Sequence, residues 1–344
     1  MPSQYSRLET VLTRAWARRG LLAWSLFPVS LLFRVLTALR RSLYAAGLLK
    51  TPSLPAPVIV VGNVFIGGTG KTPLTIWLVE ALRQAAYTPG VISRGYGASH
   101  DAPRAVTADS VASEVGDEPV LIAARTRCPL MVGRDRVAAA RALLAAHPDV
   151  NVIVSDDGLQ HYALDRRIEI VLFDARGAGN GWMLPAGPLR EPVSRRCDFT
   201  VVNAPQSPAG MPDNAIRMQL VGDAAERLSD RSQRMALRAI AGLPVQRIVA
   251  AAGIGNPSRF FSMLRGAGLI FDEVPLPDHY DFADDPFADL QADIILITEK
   301  DAVKCSRIDG LKNDPRLWVV PVTAHLDGAL AEQIVEKLRG PPTT

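Results

Sequence analysis

The residues best suited to chemistry form one glycine-rich run, GGTGKT. Its glycines permit positive φ angles and a close approach of backbone amides to phosphate oxygens. Its lysine has the length to contact the β and γ phosphates, and the hydroxyl that follows is a ligand for Mg²⁺. The run therefore predicts a site for a nucleoside triphosphate with Mg²⁺. Its members are Gly67, Gly68, Thr69, Gly70, Lys71 and Thr72.

The entrance to this run departs from the common pattern GxxxxGK[ST]. Phe65 stands where that pattern has its first glycine, and Gly62 lies three residues earlier. The apolar segment VIVVG at 58–62 predicts a buried strand before the run, and 72–86 predicts the helix after it. Strand, loop and helix in this order favour nucleotide binding, with a loop entrance that differs from the usual form.

A pair of acidic residues follows another predicted strand. The segment VNVIVSDDGLQH carries Asp156 and Asp157 just beyond its apolar run. In a parallel sheet the carboxyl end of this strand would lie beside the phosphate-binding loop, where a carboxylate can hold Mg²⁺ or its waters. An aspartate pair after a strand is equally typical of a turn or a helix cap, so the metal interpretation depends on the glycine run.

Short apolar runs alternate with helical stretches along the chain, which indicates a mainly parallel sheet covered on both faces. We therefore predict an α/β fold of the P-loop NTPase kind, with a smaller C-terminal α/β domain and an N-terminal membrane-interface helix. The predicted strand segments are 58–62, 90–93, 129–132, 150–154, 169–173, 199–202, 247–252, 294–298 and 317–322, and a helix is predicted at 134–146.

A length of 344 residues predicts two compact units with extensions. Residues 204–214 (APQSPAGMPDN) are rich in proline and small polar residues and mark a boundary. The predicted division is 1–50 as an N-terminal segment, 51–205 as the P-loop core, 206–240 as a linker with a two-stranded connection, and 241–344 as the C-terminal domain.

The net charge of +3 conceals an asymmetry, because residues 1–50 contain eight arginines and lysines but one acidic residue, Glu9. The basic character thus belongs to one end and not to a surface for nucleic acid, which we do not expect as a partner. The three cysteines are far apart and lack metal-ligand spacing, which indicates a reducing compartment without a structural metal.

The basic end contains the most apolar stretch, GLLAWSLFPVSLLF at 20–33. Its 14 residues fall short of the roughly 20 that a spanning helix needs, and Pro28 is expected to interrupt them. Apolar residues and tryptophans among arginines favour a helix lying in the interface of an anionic membrane. The alternative is a helix packed on its own domain.

Taken together, the motifs resemble the tetraacyldisaccharide 4′-kinase family, the lipid A 4′-kinases of Gram-negative bacteria. The resemblance runs in order from about residue 58 to residue 304. The segments that carry it are VGNVFIGGTGKTP at 61–73, SRGYG at 93–97, GDEP at 116–119, DDGLQH at 156–161, LPAGPLREP at 184–192, DHYDF at 278–282 and TEKDAVK at 298–304.

The resemblance implies transfer of the γ-phosphoryl group of ATP to the 4′-hydroxyl of a lipid A disaccharide 1-phosphate. It implies ATP and Mg²⁺ as cofactors, and an acylated disaccharide 1-phosphate and an anionic membrane surface as partners. The implied location is the cytoplasmic face of the bacterial inner membrane, peripherally bound through residues 1–50. We infer no obligate protein partner.

The resemblance also implies site residues. Asp117 is the proposed base and His279 its partner, while Lys71 and Asp157 complete the catalytic set; Thr72, Asp156 and Asp157 form the metal side. Carboxylate and imidazole suit the removal of a proton from a sugar hydroxyl. Without the family, Asp117 is also typical of a helix cap and His279 of a surface loop. Further candidates for the site are Arg94, Tyr96, Glu118, Arg190, Glu191 and Lys300.

Two other functions compete with the kinase. P-loop ATPase or GTPase switches of the targeting or metal-insertion kind carry similar glycine runs and acidic strand ends. A guanine-specific protein favours NKxD after a late strand, whereas the strand at 294–298 runs into Glu299, Lys300 and Asp301. A membrane-docked scaffold that binds nucleotide without turnover is the third interpretation.

Overall fold

Two sheets form the framework of the protein, in a computed structural model that describes residues 12, 15–95, 102–245, 247–326 and 329–340. Within these ranges the helices are α1 (Leu21–Ala45), α2 (Lys71–Gln84), α3 (Ala112–Val115), α4 (Asp117–Thr126), α5 (Arg136–Ala146), α6 (Leu237–Ala241), α7 (Pro257–Gly266), α8 (Glu299–Cys305), α9 (Asp309–Lys312) and α10 (Ala329–Arg339).

The first sheet has nine strands within the described ranges, in the order β15-β8-β7-β6-β1-β5-β2-β4-β3. All neighbours pair in parallel except at the two edges, where β15 and β3 are antiparallel. The strands are β1 (Val58–Gly62), β2 (Pro89–Ser93), β3 (Arg104–Ala105), β4 (Leu130–Val132), β5 (Val152–Asp156), β6 (Ile168–Asp174), β7 (Phe199–Asn203), β8 (Ile216–Val221) and β15 (Thr323–Leu326).

Strand β1 lies at the centre of this sheet, between β6 and β5, and all five of its residues are buried. Successive side chains of a strand point to opposite faces. Ile59 and Val61 accordingly pack with Leu74 and Leu78 of α2, while Val58 and Val60 share a core with Leu143 of α5. Helices thus cover both faces, which fixes β1 and α2 as rigid supports for the loop between them.

The second sheet is smaller and has the order β10-β9-β14-β13-β11-β12 over the described residues. Its four strands from β14 to β12 are parallel, and β9 and β10 add an antiparallel hairpin at one edge. The strands are β9 (Ala224–Arg227), β10 (Arg234–Ala236), β11 (Ile248–Ala252), β12 (Asp272–Pro275), β13 (Ile294–Thr298) and β14 (Leu317–Val320).

After β8 the chain passes from the first sheet to the second and later returns. It leaves the first sheet after β8, builds the second sheet with β9–β14, and returns with β15, which pairs antiparallel with β8. The two α/β layers match the predicted fold class. The domain boundaries at residues 50, 205 and 240 stay a prediction. Residues 323–326, which fall in the predicted C-terminal domain, pair with the first sheet.

The N-terminal helix corrects one expectation. Helix α1 runs for 25 residues and contains Pro28 within it, so the predicted interruption is wrong. Proline removes one backbone hydrogen bond, yet the leucine-, alanine- and arginine-rich residues around it carry the helix onward. By length and composition α1 is long and apolar enough to cross a membrane, with a mean hydropathy of 1.7 over its most apolar window. The argument from a 14-residue length therefore fails.

Candidate active site

The glycine run forms the loop between β1 and α2. Gly67 and Gly70 have φ angles of 96° and 99°, in the region that residues with a Cβ rarely adopt. A Cβ on Gly70 would also collide with the side-chain nitrogen of Asn203. Gly70 caps α2, and the helix therefore directs its free amides towards the loop. The loop has the geometry of an anion site at a helix N-terminus.

Asn63 shapes the entrance of this loop, where the sequence departs from the common pattern. Its fully buried side-chain amide donates to the carbonyl oxygens of Phe65 and of Gly67, the latter at 3.1 Å. Its side-chain oxygen accepts from Lys71 Nζ at 3.1 Å and from the Arg190 guanidinium. Asn63 thus holds the loop and two cations in one network, a role that the sequence analysis missed.

The predicted acidic pair lies beside the loop because β5 is the neighbour of β1. Asp156 is buried and accepts from the hydroxyls of Thr75 at 3.1 Å and Ser93 at 3.3 Å. Burial, with the nearby charge of Glu118, raises the pKa of Asp156 to about 7.

Asp157 behaves differently from its neighbour. It has a φ angle of 49° and pairs with Lys71 at 3.7 Å and with Arg190 at 3.4 Å. Burial acts to raise the pKa of Asp157, but the charges of Lys71 and Arg190 outweigh it and leave the pKa below its usual value. The two adjacent carboxyl groups therefore differ, since the pKa of Asp156 is raised and that of Asp157 is lowered.

The oxygens in this region fit a hard divalent cation. The Oδ1 atom of Asp157 is buried and accepts no hydrogen bond within the described residues. Thr72, the second residue of α2, is largely buried, so a hydroxyl oxygen and carboxylate oxygens are available as metal ligands. Mg²⁺ prefers one or two such ligands plus phosphate oxygens over an all-protein cage. The described part of the chain has no group of three or more His, Cys, Asp or Glu residues that could hold a metal by itself.

Asp117 and His279 meet across the two sheets. Asp117 is the first residue of α4, and His279 lies in the loop after β12 with a φ angle of 61°. The distance between His279 Nδ1 and Asp117 Oδ2 is 3.0 Å. Asp117 is buried, and its other oxygen accepts from the backbone amide of Glu118 at 3.0 Å. The carboxylate therefore accepts from the first turn of α4 with one oxygen and contacts the imidazole with the other.

Positive side chains from α8 surround this pair. Lys304 Nζ lies 3.4 Å from Asp117 Oδ2, and Lys300 Nζ lies 3.3 Å from Glu118 and 3.5 Å from His279 Nε2. Burial opposes ionisation of Asp117, yet the His279 hydrogen bond and the two lysines hold its pKa well below the usual range. The hydrogen bond to Asp117 in turn raises the pKa of His279.

One cavity of about 170 Å³ extends from the glycine loop to residues that neighbour Asp117 and His279. It is bordered by the loop from Gly68 to Thr72, by Glu118 of α4, and by Lys300 of α8. Apolar residues from both sheets complete its walls. They include Ile76, Leu121, Leu220, Ile254, Phe260 and Met263.

Four further residues at the loop were missed by the sequence analysis. Asp174 ends β6 and Arg176 follows it, Asn203 ends β7, and Arg259 lies on α7, which packs on the second sheet. Buried Asp174 pairs with Arg176 at 2.7 Å and with Arg259 at 3.2 Å. Polar residues at the ends of the apolar strands β6 and β7 were the signal that could have revealed the first three.

These side chains bind the backbone of the glycine loop directly. Arg176 donates to the Gly68 carbonyl at 3.3 Å, and Asn203 and Arg259 donate to the Thr69 carbonyl at 2.9 Å and 3.3 Å. Because Arg259 belongs to the second sheet, it ties that sheet to the loop.

The remaining candidate residues from the sequence differ in their distance from the glycine loop. Arg94 is exposed, and Tyr96 lies outside the described residues. Glu191 is fully buried, where it pairs with Arg195 at 2.5 Å and accepts from Gln160 at 3.1 Å. Arg190, in contrast, reaches Asn63 and Asp157 at the loop.

The chain resembles known proteins along nearly its whole length. The family model described as tetraacyldisaccharide-1-P 4′-kinase matches residues 22–339. A tetraacyldisaccharide 4′-kinase of Janthinobacterium sp. (strain Marseille) is 68% identical over 343 residues, 99% of each chain. That of Herminiimonas arsenicoxydans is 65% identical over 347 residues, 98% of each chain. The crystal structure of "apo" form LpxK from Aquifex aeolicus in complex with ATP superimposes with a TM-score of 0.76 at 28% identity, covering 92% of this chain and all of that one.

Proposed function

Because the chain belongs to the tetraacyldisaccharide-1-P 4′-kinase family, we propose that it transfers the γ-phosphoryl group of ATP to the 4′-hydroxyl of a lipid A disaccharide 1-phosphate. One observation carries this proposal beyond the family. The glycine loop and the residues next to the Asp117–His279 pair border the same cavity. A nucleotide and an acceptor hydroxyl can thus meet there.

The triphosphate part of ATP binds at the glycine loop. Amides of the loop and of the α2 N-terminus donate to its oxygens, and Lys71 neutralises charge on the outer phosphates. Asn63 and Asp157 hold the Lys71 ammonium in place. Thr72, Asp156 and Asp157 are the residues that would hold Mg²⁺. When bound, Mg²⁺ offsets the negative charge that develops on the phosphates during transfer.

The Asp117–His279 pair accepts the proton of the sugar hydroxyl. A carboxylate whose pKa is held low is by itself a weak base. The imidazole bonded to it has a raised pKa, so the proton that Asp117 takes can be passed to His279. The nearby ammonium of Lys300 adds positive charge beside the reacting groups. General-base assistance of this kind contributes about 10²- to 10⁴-fold to a rate.

Helix α1 holds the enzyme at the cytoplasmic face of the inner membrane. Most of its apolar side chains are exposed, whereas Ala23 and Ser30 are its buried residues within the described range. An apolar surface of this extent beside arginines suits an interface rich in anionic lipid. Its exposed apolar residues are Leu21, Leu22, Trp24, Val29, Leu31, Leu32, Val35, Leu36 and Leu39.

A double substitution, Val35→Asp with Leu36→Asp, tests the membrane role. The expected result is at least tenfold weaker co-sedimentation with anionic vesicles, because two exposed apolar contacts are lost and two repulsive charges added. The matched control is Ile270→Asp, which changes an exposed isoleucine elsewhere on the protein. Equal binding by the double variant and this control would remove the membrane role.

The catalytic proposal is tested by measuring ADP release with and without a detergent-dispersed acylated disaccharide 1-phosphate. A kinase releases ADP in step with the appearance of phosphorylated lipid. ADP release that ignores the acceptor would indicate an ATPase switch instead, and binding without ADP release would indicate a scaffold. Either outcome overturns the proposal.

A further inference from the structure

Helices α4 and α8 contact each other where the two sheets meet, and both carry groups of the proposed acceptor site. Asp117 begins α4, whereas Lys300 and Lys304 lie on α8. Lys304 Nζ is 3.4 Å from Asp117 Oδ2, and Lys300 Nζ is 3.5 Å from His279 Nε2. The position of α8 along α4 therefore decides how much positive charge surrounds the carboxylate and the imidazole.

An ion pair joins the same two helices at the other end of α4. Arg125 lies in the last turn of α4, and its Nη1 atom is 2.7 Å from Oε2 of Glu299, the first residue of α8. The Glu299 side chain is only 7% exposed, so water and salt screen this pair little. At a rise of about 1.5 Å per residue, Arg125 lies about 12 Å along the helix from Asp117. The pair is thus remote from the groups that accept the proton.

Bonds within the second sheet hold α8 in place on that sheet. The Thr298 hydroxyl accepts from the Asp301 amide at 3.2 Å and so caps the helix. The buried Asp301 carboxylate accepts from the Gly253 amide at 3.0 Å and from the Thr298 hydroxyl at 2.6 Å. These bonds tie α8 to the ends of β11 and β13. The contact between Arg125 and Glu299 therefore fixes the second sheet, through α8, against a helix of the first.

Glu299 has another cationic partner, which comes from its own sheet. Arg231, in the turn between β9 and β10, places its Nη2 atom 3.3 Å from Glu299 Oε1. Arg231 also pairs with Glu226 at 2.7 Å. Both Arg125 and Arg231 neutralise the same carboxylate, but Arg125 is the one that crosses from the first sheet. An effect that depends on the alignment of α4 with α8 must therefore follow Arg125.

We propose that the ion pair of Arg125 and Glu299 positions α8, and with it the two lysines beside the proton-accepting groups. The inference rests on the proposed function, in which the Asp117–His279 pair accepts the proton of the sugar hydroxyl. Arg125 and Glu299 are positioning residues, because they act through α8 and not on the reacting atoms. A misplacement of about 1 Å that originates far from the chemistry can cost up to about 10²-fold in rate.

Arg125→Met and Arg231→Met provide a matched test on the full chain. Each variant removes one guanidinium from Glu299 and keeps an unbranched side chain in its place. Turnover with the acylated acceptor should fall about tenfold in Arg125→Met, because α8 loses its anchor on α4. In Arg231→Met it should stay within about twofold of the unsubstituted enzyme, because pairs made by a half-exposed arginine contribute little.

The pKa of His279, measured by NMR titration of its ring protons, distinguishes positioning from a general loss of stability. The Asp117 hydrogen bond raises this pKa, and Asp278 adds to the rise, while burial and the Lys300 charge oppose it. When α8 is displaced and its ammonium group moves away, the pKa of His279 should rise further. The rise is expected in Arg125→Met and not in the control. The chain has five histidines, so the signal that is missing in His279→Ala assigns the resonance.

Two further variants extend the test. Arg125→Lys keeps a cation at the end of α4, and its turnover and its His279 pKa should lie between those of Arg125→Met and the unsubstituted enzyme. If Arg125→Met does not fold, Glu299→Gln replaces it in the comparison with Arg231→Met. Glu299→Gln removes the charge that binds Arg125 but keeps the shape of the side chain, and the same rise in the pKa of His279 is expected.

Two results would overturn the inference. One is the same His279 pKa in Arg125→Met and Arg231→Met. The other is a lower turnover in Arg125→Met with an unchanged His279 pKa, since the ion pair would then contribute stability alone. The pKa is measured without turnover, so failure of the proposed function is recognised separately, as an unsubstituted enzyme that transfers no phosphate to the acylated acceptor.

Discussion

The glycine loop and the Asp117–His279 pair are built in different ways. The loop is one short segment, held by side chains that follow neighbouring strands of the first sheet. The pair joins residues 162 positions apart, one from each sheet. The proposed nucleotide site is therefore built largely by the first sheet, whereas the proposed acceptor site forms where the second sheet packs against the first. Substitutions in the two regions should separate nucleotide binding from acceptor chemistry.

Lys71→Ala gives the largest expected effect and tests the loop side of the comparison. Loss of the ammonium should lower turnover about 10³-fold and weaken ATP binding as well, because the charge acts on bound phosphates and on the transition state. Turnover and ATP affinity are measured together, with circular dichroism to check folding. Lys71→Arg keeps the positive charge on a side chain of different shape, and its turnover should lie between those of Lys71→Ala and the unsubstituted enzyme. An unchanged ATP affinity in Lys71→Ala would contradict the assignment of nucleotide binding to the glycine loop.

His279→Ala tests the other side and should lower turnover about 10²-fold, since the proton acceptor loses its partner. ATP affinity should stay within about twofold of the unsubstituted enzyme. The control is His325→Ala, which changes an exposed histidine on β15. Equal activities in these two variants would show that His279 has no part in the reaction.

The pH profile of turnover sharpens this second test. The pKa of His279 is raised above its ordinary value of 6.5, first by the Asp117 hydrogen bond, with Asp278 adding to the rise while burial and Lys300 oppose it. The pair must lose a proton before it can accept one, so activity should rise with pH through a midpoint above 6.5. The ion pair itself stabilises the fold below that midpoint and is lost as pH rises through it. In His279→Ala this acid limb should vanish.

Arg259→Ala should have the smallest of these effects and tests how separate the two regions are. Arg259 comes from the second sheet but bonds the Thr69 carbonyl and Asp174. Loss of these charge-assisted bonds should raise KM for ATP about tenfold and change turnover less. Arg265→Ala is the matched control, since Arg265 lies in the last turn of the same helix and pairs with exposed Glu273. Identical KM values would confine nucleotide binding to the first sheet.

The sequence predicted the loop side more completely than the acceptor side, for physical reasons. Glycine freedom, the lysine and the strand-to-helix order are local properties, and β1 and β13 have the predicted bounds. Arg259 could not be found in this way, because its contact with Thr69 depends on how the two sheets pack. Asp117 and His279 came from the family resemblance, and their closeness is a tertiary fact.

For helix α1 the local sequence was available, but its length was predicted too short. Its apolar composition was recognised, but the predicted stretch ended at residue 33 and was expected to break at Pro28, whereas the helix runs unbroken to Ala45. The hydrogen bond that Pro28 removes was counted against the helix, but the helix-forming residues on both sides of Pro28 were not counted in its favour. One side of α1 packs on Trp182 and Met183, and its exposed apolar side is the part for which we propose membrane contact.

Asp117→Asn tests most directly the claim that nucleotide binding and acceptor activation are divided between the two regions. The substitution keeps the shape and removes the charge that takes the proton. The dissociation constant of ATP, measured by calorimetry, should stay within about twofold, while phosphorylation of the lipid acceptor falls about 10³-fold. Retained turnover, or a loss of ATP affinity as large as the loss of turnover, would contradict the account.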